Sequence, residues 1–298
     1  MEFSDFLKKV ILANTSRREL LTGLQLKYVE FNGLDEITLS RWVNGNTSPS
    51  LYRQLLIADF VDEMPFYLDS CMTPMPSGKA IRQFEQYSEQ FDSVYHRIRN
   101  PNCGDSLYFL REENTKCRYL FSYVFQFSTL KALQEKLDMA GIGIELNVFY
   151  IGQKNCAESC LFFHDSAGEV LSTAGVDFDA RNSVLFGVSF FKNSDHCEII
   201  SSFAFNHLLR NFFDRKKIIF TVRGSAGMQY FEKIGGELIA SKKNHELGNL
   251  YLYSFETEKL FSNVIVLTLI KQHNRSYKKY FERLSSSGVS LGTLKLGF

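Results

Sequence analysis

Residues 24–49, LQLKYVEFNGLDEITLSRWVNGNTSP, read as two short helices joined by a tight turn at Asn32-Gly33. Leu26, Val29 and Phe31 supply the apolar positions of the first helix, and Gly33 is the residue that most easily takes the positive φ such a turn needs. Leu34 returns to the core. Asp35 is placed to cap a second helix over Glu36–Val43. In that helix Leu39, Trp42 and Val43 fall on the inward side at helical spacing, while Ile37 or Thr38 with Arg41 face outward. Asn44-Gly45 ends it, as a glycine just past the last turn does.

This layout resembles the phage-repressor (XRE-type) helix-turn-helix family. The matching residues are Gln25 at the start of the first helix, Gly33-Leu34-Asp35 at the turn, and Leu39-Ser40-Arg41-Trp42-Val43-Asn44-Gly45 followed by Pro49-Ser50. Leu51–Val61 would be the closing helix of that small domain. The resemblance implies base and phosphate contacts to double-stranded DNA from Gln25, Glu36, Ile37, Thr38, Ser40 and Arg41, with Asn44, Asn46 and Thr47 near the backbone. Without the resemblance, the same residues make an ordinary helical hairpin.

Working outward, Phe3, Phe6, Leu7, Val10 and Ile11, then Leu20 and Leu21, give helical patterning over residues 3–22, and Ser16 with Glu19 matches a capping box. These elements complete an all-α domain over residues 1–62. Its charge argues for restraint. Seven basic residues (Lys8, Lys9, Arg17, Arg18, Lys27, Arg41, Arg53) face eight acidic ones (Glu2, Asp5, Glu19, Glu30, Asp35, Glu36, Asp59, Asp62). Phosphate contacts dominate DNA affinity, so a single copy should bind weakly and a homodimer is expected.

The whole chain is 298 residues long with net charge +1, 45% apolar and 22% charged, as expected of two or three globular domains. The 28 phenylalanines lie scattered through apolar runs and read as core rather than as a base-stacking platform. The six cysteines (Cys71, Cys103, Cys117, Cys156, Cys160, Cys197) form no paired CxxC pattern and read as reduced thiols. Cys156, Cys160 and His164 are spaced four apart, but CLFFHD reads as a strand, so no metal is expected. The opening residues lack a cleavage site, and no apolar run, Val264–Ile270 included, is long enough to span a bilayer. A cytoplasmic protein with no membrane partner is the expectation.

After Asp62, Met64–Gly78 holds three of the five prolines and reads as a linker. Lys79–Arg99 reads as a helix with one apolar stripe, Ile81, Phe84, Ser88, Phe91, Tyr95 and Ile98. That stripe serves either dimerisation or packing on the next domain. Linker and connecting helix together cover residues 63–105. Strands are expected at Ser106–Leu110, Tyr119–Phe127, Ile142–Ile151, Ser183–Phe191, Lys217–Val222, Gly236–Ser241 and Asn249–Phe255. A hairpin of Cys160–His164 and Glu169–Phe178 turns at Asp165-Ser166-Ala167-Gly168. Helices are expected at Thr129–Ala140, Glu198–Asp214 and Gly227–Ile234.

That order looks like the GNAT acyltransferase fold. The segment Ile218–Ile239, IIFTVRGSAGMQYFEKIGGELI, is similar to the family's fifth strand, fourth helix and sixth strand. The fit spans residues 106–256, so the expected fold class is an all-α helix-turn-helix domain followed by an α/β (α+β) GNAT-like domain with a central mixed sheet. The resemblance implies acyl-CoA, held at a helix N-terminus by an Arg/Gln-x-x-Gly-x-Gly/Ala loop. The corresponding stretch here, Lys192–Glu198, KNSDHCE, has no glycine, and Asp195 and Glu198 would repel phosphate. The family's frequent general acid, a tyrosine, falls at Phe231, with Tyr230 expected to point elsewhere.

Two departures at chemically decisive places leave three readings: a catalytically degenerate ligand sensor, an enzyme using another donor, or a different fold. In the second, Glu169, Asp177 or Asp179 would be the base; His164, His196 and His207 are weaker candidates. No cofactor is expected, since the acyl-CoA phosphate loop is not recognisable. The Arg223-Gly224-Ser225-Ala226-Gly227 run reads as a tight turn rather than an anion loop. The extension 257–298 is basic from Lys271 onward and reads as a helix whose face covers the sheet edge or adds phosphate contacts. The functional expectation is a sequence-specific DNA-binding transcriptional regulator whose second domain senses a small-molecule or acyl ligand or mediates dimerisation. The rivals are an N-acyltransferase with an accessory helical domain and a protein-interaction module.

Overall fold

The computed structural model describes residues 1–14, 16–93, 106–113, 122–124, 126–141, 145–153, 155–165, 167–287 and 292–295. The chain divides into two compact units, Met1–Met75 and Pro76–Phe298.

The first unit is all helical: α1 (Phe3–Asn14), α2 (Arg17–Lys27), a 3-10 turn Val29–Phe31, α3 (Glu36–Val43), α4 (Leu51–Phe60) and α5 (Met64–Ser70). Ser16 starts α2 with the reciprocal cap its sequence promises: Glu19 N donates to Ser16 Oγ at 3.2 Å and Ser16 N to Glu19 Oε2 at 2.8 Å. Phe6, Leu7, Leu20, Leu24, Leu39, Trp42, Leu55, Tyr67 and Leu68 form the core. Several local readings change. α2 ends at Lys27, so Leu26 and Val29 are not core positions but are 83% and 73% exposed. Gln25 lies near the end of that helix, not its start. Gly33 does not adopt positive φ, because the 3-10 turn before it already reverses the chain, whereas Gly45 does, at φ 75°.

Met64–Ser70, expected as linker, is a helix. Pro65 sits in its first turn, where a missing N–H costs nothing. Tyr67 and Leu68 are buried, and Tyr67 OH donates to Gln54 Oε1 at 2.9 Å. Gln54 in turn donates to Pro49 O at 2.9 Å, which ties α5 to the start of α4.

The second unit is α+β. It contains α6 (Gly78–Glu89), β1 (Ser106–Glu113), α7 (Ser128–Met139), β2 (Glu145–Gln153), β3 (Cys156–His164), α8 (Ala167–Thr173), β4 (Ser183–Phe186) and α9 (Ser194–Asn211). It continues with β5 (Lys217–Arg223), α10 (Gly224–Lys233), β6 (Glu237–Asn244), β7 (Gly248–Glu256), α11 (Thr257–Ser262), α12 (Val264–Ser287) and β8 (Gly292–Lys295). The mixed sheet runs β6-β7-β5-β4-β3-β2-β1-β8. All pairs are antiparallel except β4 and β5, which α9 connects. This strand plan agrees with the α+β, GNAT-like expectation.

Alternation along the strands sends residues to two layers. On one face Phe149 and Phe163 meet His207 of α9, and Phe220 meets Phe231 of α10. On the other, α7 and α8 cover part of the sheet above Leu185, Ile219 and Leu252.

Glu169–Phe178 is not a strand. Ala167, Val170 and Leu171 are buried at helical spacing on α8, so the turn expected at 165–168 instead leads into a helix. Ser183–Phe191 is a regular strand only through Phe186, beyond which Phe190 keeps an isolated bridge to Cys160, and residues 122–124 form a turn where a strand was expected. Tyr95, Ile98, Cys103, Cys117, Tyr119 and Ser166 lie outside the described residues. Cys71, Cys160 and Cys197 are buried and in no disulfide, and burial pushes the Cys160 thiol up to about 12. Cys156 departs from the reduced reading, since it is disulfide-bonded. Among the described residues no helix is long and apolar enough to cross a membrane.

Candidate functional site

Three places concentrate the residues singled out above: the surface of α3, the cleft between β4 and β5, and a groove under α7 and α8.

On α3, Asp35 caps the helix by accepting from Thr38 N at 2.6 Å. That hydrogen bond holds its carboxyl below the usual range. Leu39, Trp42 and Val43 are buried, so the opposite face must meet solvent. Glu36, Ile37 and Arg41 are exposed there, Ile37 by 64%, with Thr38 and Ser40 half-buried. Asn44, Asn46 and Thr47 follow, all exposed, and the N–H groups of Asn46 and Thr47 fold back onto Arg41 O at 2.9 and 3.5 Å. Gln25 is exposed, and its Nε2 donates to Leu34 O at 2.7 Å, fixing it between α2 and α3. The nine residues therefore share one surface region of the first unit, each reached from α2, α3 or the loop after it.

The cleft arises because the two parallel strands part after Phe186 and Phe220. The chain beyond β4 stays with β3: Gly187 N donates to Phe162 O at 2.8 Å, and Phe190 exchanges two backbone hydrogen bonds with Cys160. β5 meanwhile stays with β7 through Arg223 opposite Leu250. On the α9/α10 side the gap is almost filled. Tyr87 of α6 stacks on Tyr230 with centroids 4.8 Å apart, and Phe91 packs edge-on against Phe191 at 4.9 Å. Only about 40 Å³ is left between them, room for a few waters. Tyr230 and Phe231 both line that remnant, so Tyr230 does not point away as expected. Burial raises its phenol far above the ordinary range, and Phe231 has no proton to give.

The N-terminus of α9 is also occupied. Asn193 Oδ1 accepts from His196 N at 2.8 Å, and Asp92 Oδ1 accepts from Ser194 N at 3.0 Å. Lys192 N donates to Ser159 Oγ at 2.8 Å, and its Nζ pairs with buried Glu158 at 2.8 Å. A pyrophosphate would have to displace the Asp92 carboxylate, a negative group already taking the positive end of the helix. The donor set does not fit acyl-CoA as it stands. Asp92 and Tyr87 were not singled out from sequence; nothing local marks them, because their partners lie over a hundred residues away.

On the other side the cleft opens into a groove of about 920 Å³ beneath α7 and α8, and Gly187 and Thr221 line both spaces. His164 and Asp177 border it; Glu169 and Asp179 do not. Asp179 instead pairs with Arg181 at 2.8 Å, which drives its carboxyl well below the ordinary range. His196 is buried with Nδ1 2.8 Å from Ser159 Oγ. His207 is enclosed by aromatic rings, and burial lowers it to about 3. The Arg223–Gly227 run opens α10, with Gly224 at φ 73°. Among the described residues no cluster of His, Cys, Asp or Glu could hold a metal.

No family model and no curated protein matches the chain. Among solved structures, Mycobacterium smegmatis RimJ in complex with CoA-disulfide is similar at 14% identity and a TM-score of 0.28, over 65% of this chain and 87% of that chain. At those values the likeness carries no argument about this chain's chemistry.

Proposed function

We propose that the chain is a sequence-specific DNA-binding transcriptional regulator, with α3 as the reading helix and the second unit as a ligand-binding domain that has lost acyl-CoA chemistry. The observation that carries it is the division of α3: three buried anchors on one side, Glu36, Ile37 and Arg41 exposed on the other, and exposed Asn44, Asn46 and Thr47 following. Arg41, exposed on that side, would pair with a guanine edge, a contact worth about 1–3 kcal/mol of discrimination. The near balance of charge in this unit calls for a second copy, so binding to a two-part site should be cooperative. The test is selection from random double-stranded DNA by the full chain. Wild type should enrich a defined site, and Arg41→Ala should lose that preference at unchanged melting temperature. Enrichment of no sequence by wild type, or of the same one by the variant, would overturn the reading.

A second reading, N-acyl transfer, is favoured by the mixed sheet, the parting of β4 and β5, and the groove that reaches the same cleft. Against it stand Asp92 at the helix N-terminus and Phe231 at the expected acid. Saturable thermal stabilisation by acetyl-CoA, a longer acyl-CoA or acyl carrier protein would restore it.

A further inference from the structure

The groove under α7 and α8 separates two hydrophobic clusters that lie on the same face of one sheet. One contains Leu146, Val148, Phe162, Val188 and Phe190; the other contains Leu137, Val170, Leu171, Leu185 and Leu252. Members of both open onto the same 920 Å³ space, and Leu130, Leu133, Ile239 and Leu250 project into it only partly buried. A face this apolar that stays apart in two pieces leaves surface that an apolar ligand would bury.

Charge at the groove is one-sided. Among the described residues, Lys136 and Lys242 border it against a single carboxylate, Asp177. Arg223 follows Thr221 by two residues along β5 and so shares its face, and it pairs with Leu250; Thr221 and Leu250 both line the groove. Its guanidinium lies 5.3 Å from the centre of the Phe190 ring, and its Nε is buried with no hydrogen-bond partner. A mostly enclosed guanidinium with no counter-ion among the described residues is costly, and an anion there would offset that cost.

We propose that this groove binds an elongated apolar carboxylate, its chain lying between the two clusters and its head directed to Arg223. This rests on the reading of the second unit as a ligand-binding domain and names the class of ligand; it is independent of whether α3 reads DNA.

The experiment titrates the full-length protein with dodecanoate and with dodecanol, both below their aggregation limits, by calorimetry. Dodecanoate should bind saturably at one per chain, and dodecanol roughly tenfold or more weakly, the size of one charge-assisted hydrogen bond. Arg223→Gln should bring dodecanoate down to the affinity of dodecanol while leaving dodecanol unchanged, a readout that loss of fold would not produce. Leu133→Trp, at a half-buried lining position, should weaken both about tenfold or more by filling the space. Non-saturable uptake, equal affinity of wild type for the two ligands, or unchanged dodecanoate affinity in both variants would overturn the assignment. DNA selection by the same preparation is read separately, so failure of either idea leaves the other standing.

Discussion

His207 is packed against Phe109, Phe149, Phe163 and Phe281, and its Nδ1 lies 3.0 Å from Tyr277 OH. Burial lowers it from its ordinary 6.5 to about 3. The native state therefore holds it neutral while the unfolded chain protonates it, so stability is full above about pH 6.5 and falls as pH drops toward 3. Between pH 6.5 and 5, before carboxylates titrate, the slope from this residue approaches about 1.4 kcal/mol per pH unit. Denaturant titrations at those pH values should show it, and His207→Gln should flatten it. Asp35 works in the opposite chemical sense. Its folded carboxyl is depressed by the Thr38 N–H, so its contribution is present above the unfolded value and is lost as pH falls through the folded one. Asn can make the same cap without titrating. Asp35→Asn should leave the melting temperature at pH 7 nearly unchanged and soften the decline on acidification below about pH 4. Both residues are visible in the sequence, but only Asp35 declares its role there. A cap is read from three neighbouring residues, whereas the cage of His207 is assembled from strands β1, β2 and β3 with helices α9 and α12.

At the scale of elements, the contact of α6 and α10 with β5 decides what the cleft can hold. A Cβ on Gly227 would stand 2.4 Å from Val222 Cγ1 and 3.5 Å from Tyr87 Cε2, so the glycine lets α10 lie against both strand and helix. Gly227→Ala should destabilise the second unit by about 1–3 kcal/mol. Adding Val222→Ala should recover part of that loss in urea unfolding, because it removes the atom struck; no recovery would mean the helix shifts instead. The apolar stripe was legible, although the helix expected over Lys79–Arg99 ends at Glu89; Phe84 of α6 and Phe91 of the 3-10 turn Gln90–Asp92 do face a partner. Which partner was not legible, since a stripe on one helix serves its own domain or a second copy equally well. The helix over 167–173 shows the same limit: its seven residues, AGEVLST, fit a short strand or a short helix until β3 and β4 fix where Val170 and Leu171 must go.

Across the whole molecule the basic C-terminal stretch changes meaning. Tyr277 and Tyr280 are 2% exposed on α12, and β8 pairs with β1 at the sheet edge. Removing residues 271–298 would open the core rather than subtract a tail. The cleaner probe is Arg275→Glu with Lys279→Glu, both exposed. The pair should leave the melting temperature unchanged. On the proposed reading, in which a second copy supplies the phosphate contacts, it should also leave DNA affinity and its salt dependence unchanged; a slope smaller by about 0.9 per lost contact would instead place α12 on DNA. The sequence by itself determined the bounds of α3, its cap and its buried anchors, and most strands of the second unit. Those are set by periodicity and by interactions reaching three or four residues. Only tertiary structure decided that α6 fills the cleft between β4 and β5, that Asp92 takes the N-terminus of α9, and that the Arg223 Nε is buried without a hydrogen-bond partner among the described residues. Each of these depends on side chains brought together by strand pairing across many residues, and sequence distance carries no trace of it.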